Sequence, residues 1–599
     1  MPGDTAIATV CLSGTLEDKL SAASAAGFDG VEIFENDLIA SRRSPSEIRR
    51  LCADLGLSID LYQPFRDFEA VPPDVLRANL RRAERKFDLM AELGADTVLV
   101  CSSVSPDAVD DDDLAASQLH ELASLAATRG IRVAYEALAW GRFVNMYEHA
   151  WRIVRRADHP ALGVCLDSFH ILSRGSDPRP IRTIPGEKIF FLQLADAPLL
   201  DMDVLHWSRH HRLFPGQGAF DLTAFTGHVL AAGYRGPLSL EVFNDVFRQA
   251  DPRPAAVDAM RSLLALRESL GELEVPAPAT LGGHAFAELA VPAGSETGHV
   301  LQALGFFRAG THRSKPVQLW QRGSARVLVN ETGEGGAISA LGLTSSDPAG
   351  SARRAEVLLA PVLPREHGPD EADLSAVAAP DGTEIFFCGN DEWLHDFVSS
   401  GVDPTGPGIT GIDHVALTQP FDHFDEAALF YRSVLGLRPE PVAEFAAPFG
   451  LVRSRAVGDQ GVRLTLDSAL VRRGEWAPGV PSPQHIAFAC EDAFAAVRAM
   501  REAGAPLLSI PGNYYDDLEA RFDLPFSAAL RENSVLYDRD DEGEFLHFCT
   551  ELVGSRVFFE VVQRIGGYRG YGVVNTPVYM AAHRERRLTT AQNPIGSPA

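Results

Sequence analysis

The sequence predicts an α/β (β/α)8 TIM barrel over residues 1–272, followed by an α+β domain of βαβββ modules. Three observations lead there. The chain has 599 residues, more than the ~250–300 at which a single core stops growing. Short β-rich runs then alternate with amphipathic helical runs eight times before a proline- and alanine-rich stretch. Beyond that stretch, a strand–helix–strand pattern recurs weakly.

The barrel strands read, in order, as Ile7–Val10, Gly30–Phe34, Ser58–Leu61, Thr97–Cys101, Arg132–Glu136, Gly163–Asp167, Ile189–Leu194 and Leu238–Val242. Helix signals lie between them. Ser44-Pro45-Ser46-Glu47 supplies an N-cap, a proline at the first helical position and a capping-box acid. Gly27, Gly56, Gly94, Gly130 and Gly233 each end a helix just before the next strand. Eight such units close a barrel, and no G-x-G-x-x-G after the first strand supports an open doubly wound sheet.

Alternate residues of a barrel strand face the lumen and the helical layer. In the sixth strand Leu162, Val164 and Leu166 suit the helices, so Gly163, Cys165 and Asp167 point inward. The same parity turns Glu136, Gln193 and Glu241 inward on strands five, seven and eight, and Glu32 on strand two. Three acids and an amide near the C-terminal ends of four strands would repel one another without a cation between them. All-oxygen ligation suits Mg²⁺, Mn²⁺ or Co²⁺, so Glu136, Asp167, Gln193 and Glu241 are candidate metal ligands, with Glu32 behind them.

His170 lies three residues past Asp167, on an expected loop at the barrel mouth, where an imidazole can serve as general base near neutral pH. The segment 201–212 after strand seven gathers His206, Ser208, Arg209, His210, His211 and Arg212 in an otherwise acidic chain. It is expected to close over a small anionic substrate, with Arg212 clamping a carboxylate and Arg66 as a second anion contact.

Composition excludes other classes. A formal charge of -27 repels phosphate backbones, so nucleic acid is not an expected partner. No apolar run reaches the ~18 residues of a membrane span, and the first residues lack a basic region followed by an apolar one. Seven scattered cysteines without a C-x-x-C pair argue against disulfides and zinc knuckles. A cytoplasmic protein is expected.

Residues 273–283 read as a linker, with halves of a second domain at 284–400 and 409–590 and a softer break across Ser399–Gly408. Phe286–Val291, Ile412–Leu417 and Gln484–Ala489 begin three copies of the repeat. His414 and His485 occupy equivalent early positions, and Glu560 lies in a final strand. Two histidines and a carboxylate form the facial triad of non-haem Fe²⁺ sites, and Mg²⁺ is the alternative ion. In the first half Glu288 stands where a histidine would and has no matching partner, so only one metal site is expected in the domain.

The barrel motifs YEALAWG (135–141), CLDSFH (165–170), LQLADAP (192–198), SRHHRLFPGQG (208–218) and LEVFND (240–245) resemble bacterial 3-dehydroshikimate dehydratases, within the xylose isomerase-like barrels. The resemblance implies dehydration of 3-dehydroshikimate to protocatechuate in quinate and shikimate catabolism. It would run through an enediolate stabilised by a divalent ion, with His170 as base and Arg66, Ser208 and Arg212 on the substrate carboxylate. A sugar or hydroxy-ketone isomerase or epimerase with a non-catalytic metal-binding domain would use the same enediolate.

The second half resembles 4-hydroxyphenylpyruvate dioxygenase, a vicinal oxygen chelate fold, in HRSKPVQLWQRG (312–323), DHVAL (413–417), QHIAFA (484–489), YYDDL (514–518) and FFEVVQR (558–564). Two departures stand out: His547-Phe-Cys-Thr550 where that family has a substrate-contacting glutamine, and Asp467 for its asparagine. They imply that the domain either takes another ligand or serves stability and homo-oligomerisation.

Overall fold

The computed structural model describes residues 4–333, 335–364, 367–400, 408–448, 450–459, 461–469 and 483–592. The chain forms two compact units, Met1–Val275 and Pro276–Ala599.

The first unit is a closed barrel of eight parallel strands. They are β1 (Thr5–Ala8), β2 (Gly30–Phe34), β3 (Ser58–Phe65), β4 (Thr97–Cys101), β5 (Arg132–Glu136), β6 (Leu162–Asp167), β7 (Ile189–Leu194) and β8 (Leu238–Leu240). β1 closes on β8 through Thr5↔Leu238, Ala6↔Ser239 and Ile7↔Leu240. β1 lies two residues earlier than its apolar run suggests, because Thr9–Cys11 turn into a short 3₁₀ segment. β8 stops at Leu240, leaving Glu241 just beyond it, although its N–H still reaches Leu194 O at 3.1 Å.

Local signals operate as read. Ser44 and Glu47 form a capping box on the helix Pro45–Asp54. Gly94 ends the helix Pro73–Leu93 at φ 83°, a left-handed conformation costly for side-chain-bearing residues. Parity also holds: Leu61, Leu99, Cys101, Ala134, Cys165 and Phe191 pack together as the apolar barrel interior. The inward polar residues sit at the strand ends of the same faces.

In the second unit, Leu281–Ala290 pairs in parallel with Ala325–Asn330, Ile409–Thr418 with Arg463–Ala469, and Gln484–Cys490 with Val557–Gly566. These are the three expected copies. A fourth pairs Ala337–Ser345 with Glu384–Cys388, around the helix Pro348–Val357. Its hairpin is reduced to the three-residue strand Ala376–Ala378, which erased the repeat from the sequence. Of the softer break at 399–408, residues 401–407 lie outside the described residues.

One buried carboxylate shapes the segment that covers the barrel mouth. Asp196, 1% exposed, accepts N–H groups from Ala197, Gly216, Gly218 and Phe220 at 2.8–3.0 Å. Its neighbour strand contact, Asp196↔Leu213, ties this turn back to the end of β7. Asp196→Ala strands several buried donors, each worth ~1–3 kcal/mol, so the first unit should lose about 3–5 kcal/mol in urea denaturation.

Candidate metal centres and active site

Asp167 ends β6 and caps the next helix. Its Oδ1 accepts from Phe169 N at 2.6 Å and His170 N at 3.3 Å, starting the helix Ser168–Leu172. His170 is therefore not on a loop: it sits on one helical turn, 4% exposed, held over the barrel axis. Its Nε2 lies 3.6 Å from Asp167 Oδ2 and 3.9 Å from Glu136 Oε1. Glu136, Asp167 and His170 are thus close enough to share one ion.

Arg212 is not waiting at a substrate. Segment 201–212 carries the helix Val204–His210, and the guanidinium behind it is 1% exposed. Arg212 Nη1 donates to Asp167 Oδ2 at 2.8 Å and Glu241 Oε2 at 3.0 Å, while Nε and Nη2 donate to Ser208 Oγ at 3.2 and 2.8 Å. Arg212 and Ser208, expected at a carboxylate of the substrate, are occupied with the protein's own acids and with each other. Arg66 does face the cavity, and among the described residues its guanidinium has no hydrogen-bond partner. That cavity, about 610 Å³, is also lined by Glu136, Trp140, His170, Arg209, Glu241 and Arg248.

Gln193 stands one level deeper. Its Nε2 donates to Glu32 Oε2 at 2.6 Å, and Cys165 Sγ approaches its Oε1 at 3.4 Å. Gln63 Nε2 and Ser239 Oγ also donate to Glu32, so the expected residue behind the cage joins four strands.

The electrostatics follow from burial. It pushes Glu136 well above the usual carboxylate range, with Asp167 and Glu241 adding to it. Glu241 rises to about 7 by burial, against the pull of Arg212. Asp167 alone is held low, since Arg212 and His170 outweigh burial. Burial drops His170 to about 3 despite Asp167, so the ring is neutral. Ala139 N–H points at its Nδ1 at 3.2 Å, and Arg212 Nη2 at its Nε2 at 3.3 Å. A neutral ring keeps one proton, so only one of these contacts is a hydrogen bond.

These residues fit a divalent ion. Glu136 Oε1 is buried and lacks a hydrogen-bond partner, and its neighbours offer oxygen atoms.

The second centre is more compact. His414 sits opposite Ala487, His485 opposite Ala416 and Glu560 opposite Ala487, on three adjacent strands. His414 Nε2, His485 Nε2 and Glu560 Oε2 are each 3.3 Å from the other two. His414 Nδ1 is taken by Asp413 Oδ1 at 2.8 Å, and Asp413 is gripped by Arg564 at 2.8 Å through both oxygens. Burial lowers the His414 imidazole, but its contacts with Asp413 and Glu560 raise it overall. With Nδ1 committed to Asp413, Nε2 faces Glu560 Oε2 and His485 Nε2, and two ring nitrogens and a carboxylate oxygen converging at this distance fit a cation. In the first half, Glu288 Oε1 accepts from Asn330 and Ser339 instead.

His547 was noticed only as a departure from a family pattern. Its Nδ1 lies 2.5 Å from Glu560 Oε1 and its Nε2 2.9 Å from Asn575 Nδ2, so the amide assigns the proton to Nδ1. Burial pushes the Glu560 carboxyl up, but the three imidazoles hold it well below its usual range. Asp467, the other departure, is raised by burial against a hydrogen bond from Ser454.

Comparison with known proteins assigns both halves. Residues 20–266 match the xylose isomerase-like TIM barrel family, and residues 411–542 the glyoxalase/bleomycin resistance protein/dioxygenase superfamily. The 3-dehydroshikimate dehydratase of Pseudomonas aeruginosa is 49% identical over 97% of this chain and 98% of its own length. The chain belongs to the 3-dehydroshikimate dehydratase family. The enzyme of that name from Pseudomonas putida is 46% identical, over 98% of this chain and 99% of its own. A solved structure described as a xylose isomerase-like TIM barrel/4-hydroxyphenylpyruvate dioxygenase fusion protein superposes with a TM-score of 0.90 at 45% identity, covering 98% of this chain and 100% of that one.

Two outcomes follow for this family member. The full chain should take up two equivalents of Mn²⁺ in equilibrium dialysis, and Asp167→Asn or Glu560→Ala should each remove one. Arg212→Met leaves buried acids without their cation, so the metal-free chain should lose about 3–5 kcal/mol in denaturant. Added Mn²⁺ should recover more stability in that variant than in the wild type.

Proposed function

We propose that the barrel dehydrates 3-dehydroshikimate to protocatechuate, as the names of its full-length relatives suggest. The observation that supports it is the pair of buried acids Glu136 and Glu241 on the wall of a cavity that Arg66 also lines, with Asp167 and Gln193 as the other two ligands. The ion is Mg²⁺, Mn²⁺ or Co²⁺, held by oxygen donors. Once bound, it supplies positive charge for the substrate's ketone and neighbouring hydroxyl as the α-proton leaves.

The chain's own residues divide the remaining work. Arg66 meets the substrate carboxylate, with Arg209 and Arg248 on the same cavity wall. His170, which lines the cavity, is the base that the sequence suggests. Its buried ring is neutral and carries one lone pair, which takes the α-proton and returns it to the departing hydroxyl, released as water. Glu136 Oε1, 3.9 Å from His170 Nε2 and without a hydrogen-bond partner, is left for the ion. Trp140, whose ring centroid is 5.0 Å from that of His170, packs beside the imidazole and excludes water.

The second unit binds its own divalent ion, Fe²⁺ or Mg²⁺, at His414, His485 and Glu560. With His547 seated on the carboxylate, its main part is stability and homo-oligomerisation rather than oxidation of a keto acid. The whole chain acts in the cytoplasm, in catabolism of quinate and shikimate.

Incubating the purified chain with 3-dehydroshikimate should generate catechol absorbance that EDTA abolishes and a divalent ion restores; no signal with any of the three ions removes the reading. His170→Ala should cost ~10²–10⁴ in kcat, the range for a lost general base. His170→Gln, which keeps an N–H donor but has no basic nitrogen, should lose as much. A much smaller loss in His170→Gln would make the ring a donor and remove it as base.

A further inference from the structure

The floor of the barrel centre contains an acid for which the proposed chemistry has no use. Glu32 on β2 is 0% exposed and has no access to the substrate cavity lining. It accepts from Gln63 Nε2 at 2.8 Å and Gln193 Nε2 at 2.6 Å through one oxygen, and from Ser239 Oγ through the other. The partners come from β3, β7 and β8, so one carboxylate ties four strands together beneath the site.

A glutamine amide has an oxygen end and a nitrogen end of nearly equal shape. Which end faces a cation must be set by something else, because an NH₂ group aimed at a cation repels it. Glu32 Oε2, which meets both amides, accepts from them, so it takes the NH₂ end of each and sends the carbonyl oxygen away. At Gln193 the remaining end, Oε1, meets only the weak Cys165 Sγ donor at 3.4 Å. The same carboxylate oxygen takes the NH₂ end of Gln63 as well. One of the four proposed ligands is therefore aimed from a buried acid beneath it.

We infer that Glu32 is a positioning residue which fixes the amide of Gln193, so that its oxygen faces the divalent ion. The inference rests on the reading of Gln193 as a ligand. It also accounts for an acid at residue 32 rather than an amide: glutamine there presents an oxygen and an NH₂ with equal ease, and Gln193 is free to turn over. Partners that orient ligands typically change metal affinity ~10–100-fold when lost.

Mn²⁺ affinity of the full chain, measured by equilibrium dialysis with the barrel class of sites identified by its loss in Asp167→Asn, provides the test. Glu32→Gln should weaken that class ~10–100-fold, and most of the loss should vanish when Gln193 is already alanine, since the main amide to be aimed is gone. Glu32→Asp, which keeps the charge but shortens the side chain by one methylene, should fall between wild type and Glu32→Gln, and it carries the test if Glu32→Gln does not fold. An equal loss in the wild-type and Gln193→Ala backgrounds, or unchanged affinity in both Glu32 variants, overturns the inference. Undiminished Mn²⁺ binding in Gln193→Ala alone overturns the reading of Gln193 as a ligand and the inference with it.

Discussion

Carboxylates gathered in a buried space demand positive charge, and the barrel is built around that demand. Glu136, Asp167 and Glu241 arrive from three separate strands, all nearly inaccessible to water. Arg212 answers part of the demand by placing one nitrogen against both Asp167 and Glu241. It leaves Glu136 Oε1 unmatched. A divalent ion is the natural completion, because it can meet several oxygen atoms at once where a guanidinium meets two. The same demand explains why Arg212 lies behind the acids, while the less buried Arg66 stays open to a substrate anion.

The second unit solves a similar problem by symmetry. Duplicated modules bring equivalent strand positions onto one face, and His414, His485 and Glu560 meet there at 3.3 Å. The outer atoms of His414 and Glu560 are then occupied. Asp413 and Arg564 brace His414, and His547 with Asn575 braces Glu560. A ligand set braced on two sides is fixed in the orientation that an ion needs.

Much of this was legible in the residues because strand parity is strict. Once β5 to β8 were placed, alternation alone turned Glu136, Asp167, Gln193 and Glu241 inward, and no boundary shift of a residue or two at β1 or β8 altered that. Capping serine and glycine signals likewise located helices. What parity could not reveal was rotation and pairing. The helix that holds His170 is only five residues long and is capped by Asp167 itself, so no periodicity separates it from a loop. Arg212 was read as free because its partners lie 45 and 29 residues away. The bracing role of His547 depends on a contact with Asn575 that no spacing rule anticipates. The fourth module was hidden because its hairpin had shrunk.

Crystals grown with Mn²⁺ and measured at the manganese absorption edge examine the central claim directly. The account predicts an anomalous peak in contact with oxygen atoms of Glu136, Asp167, Gln193 and Glu241, and a second between His414, His485 and Glu560. A barrel without a peak, with the Arg212 guanidinium still the sole cation between Asp167 and Glu241 at saturating Mn²⁺, would contradict it.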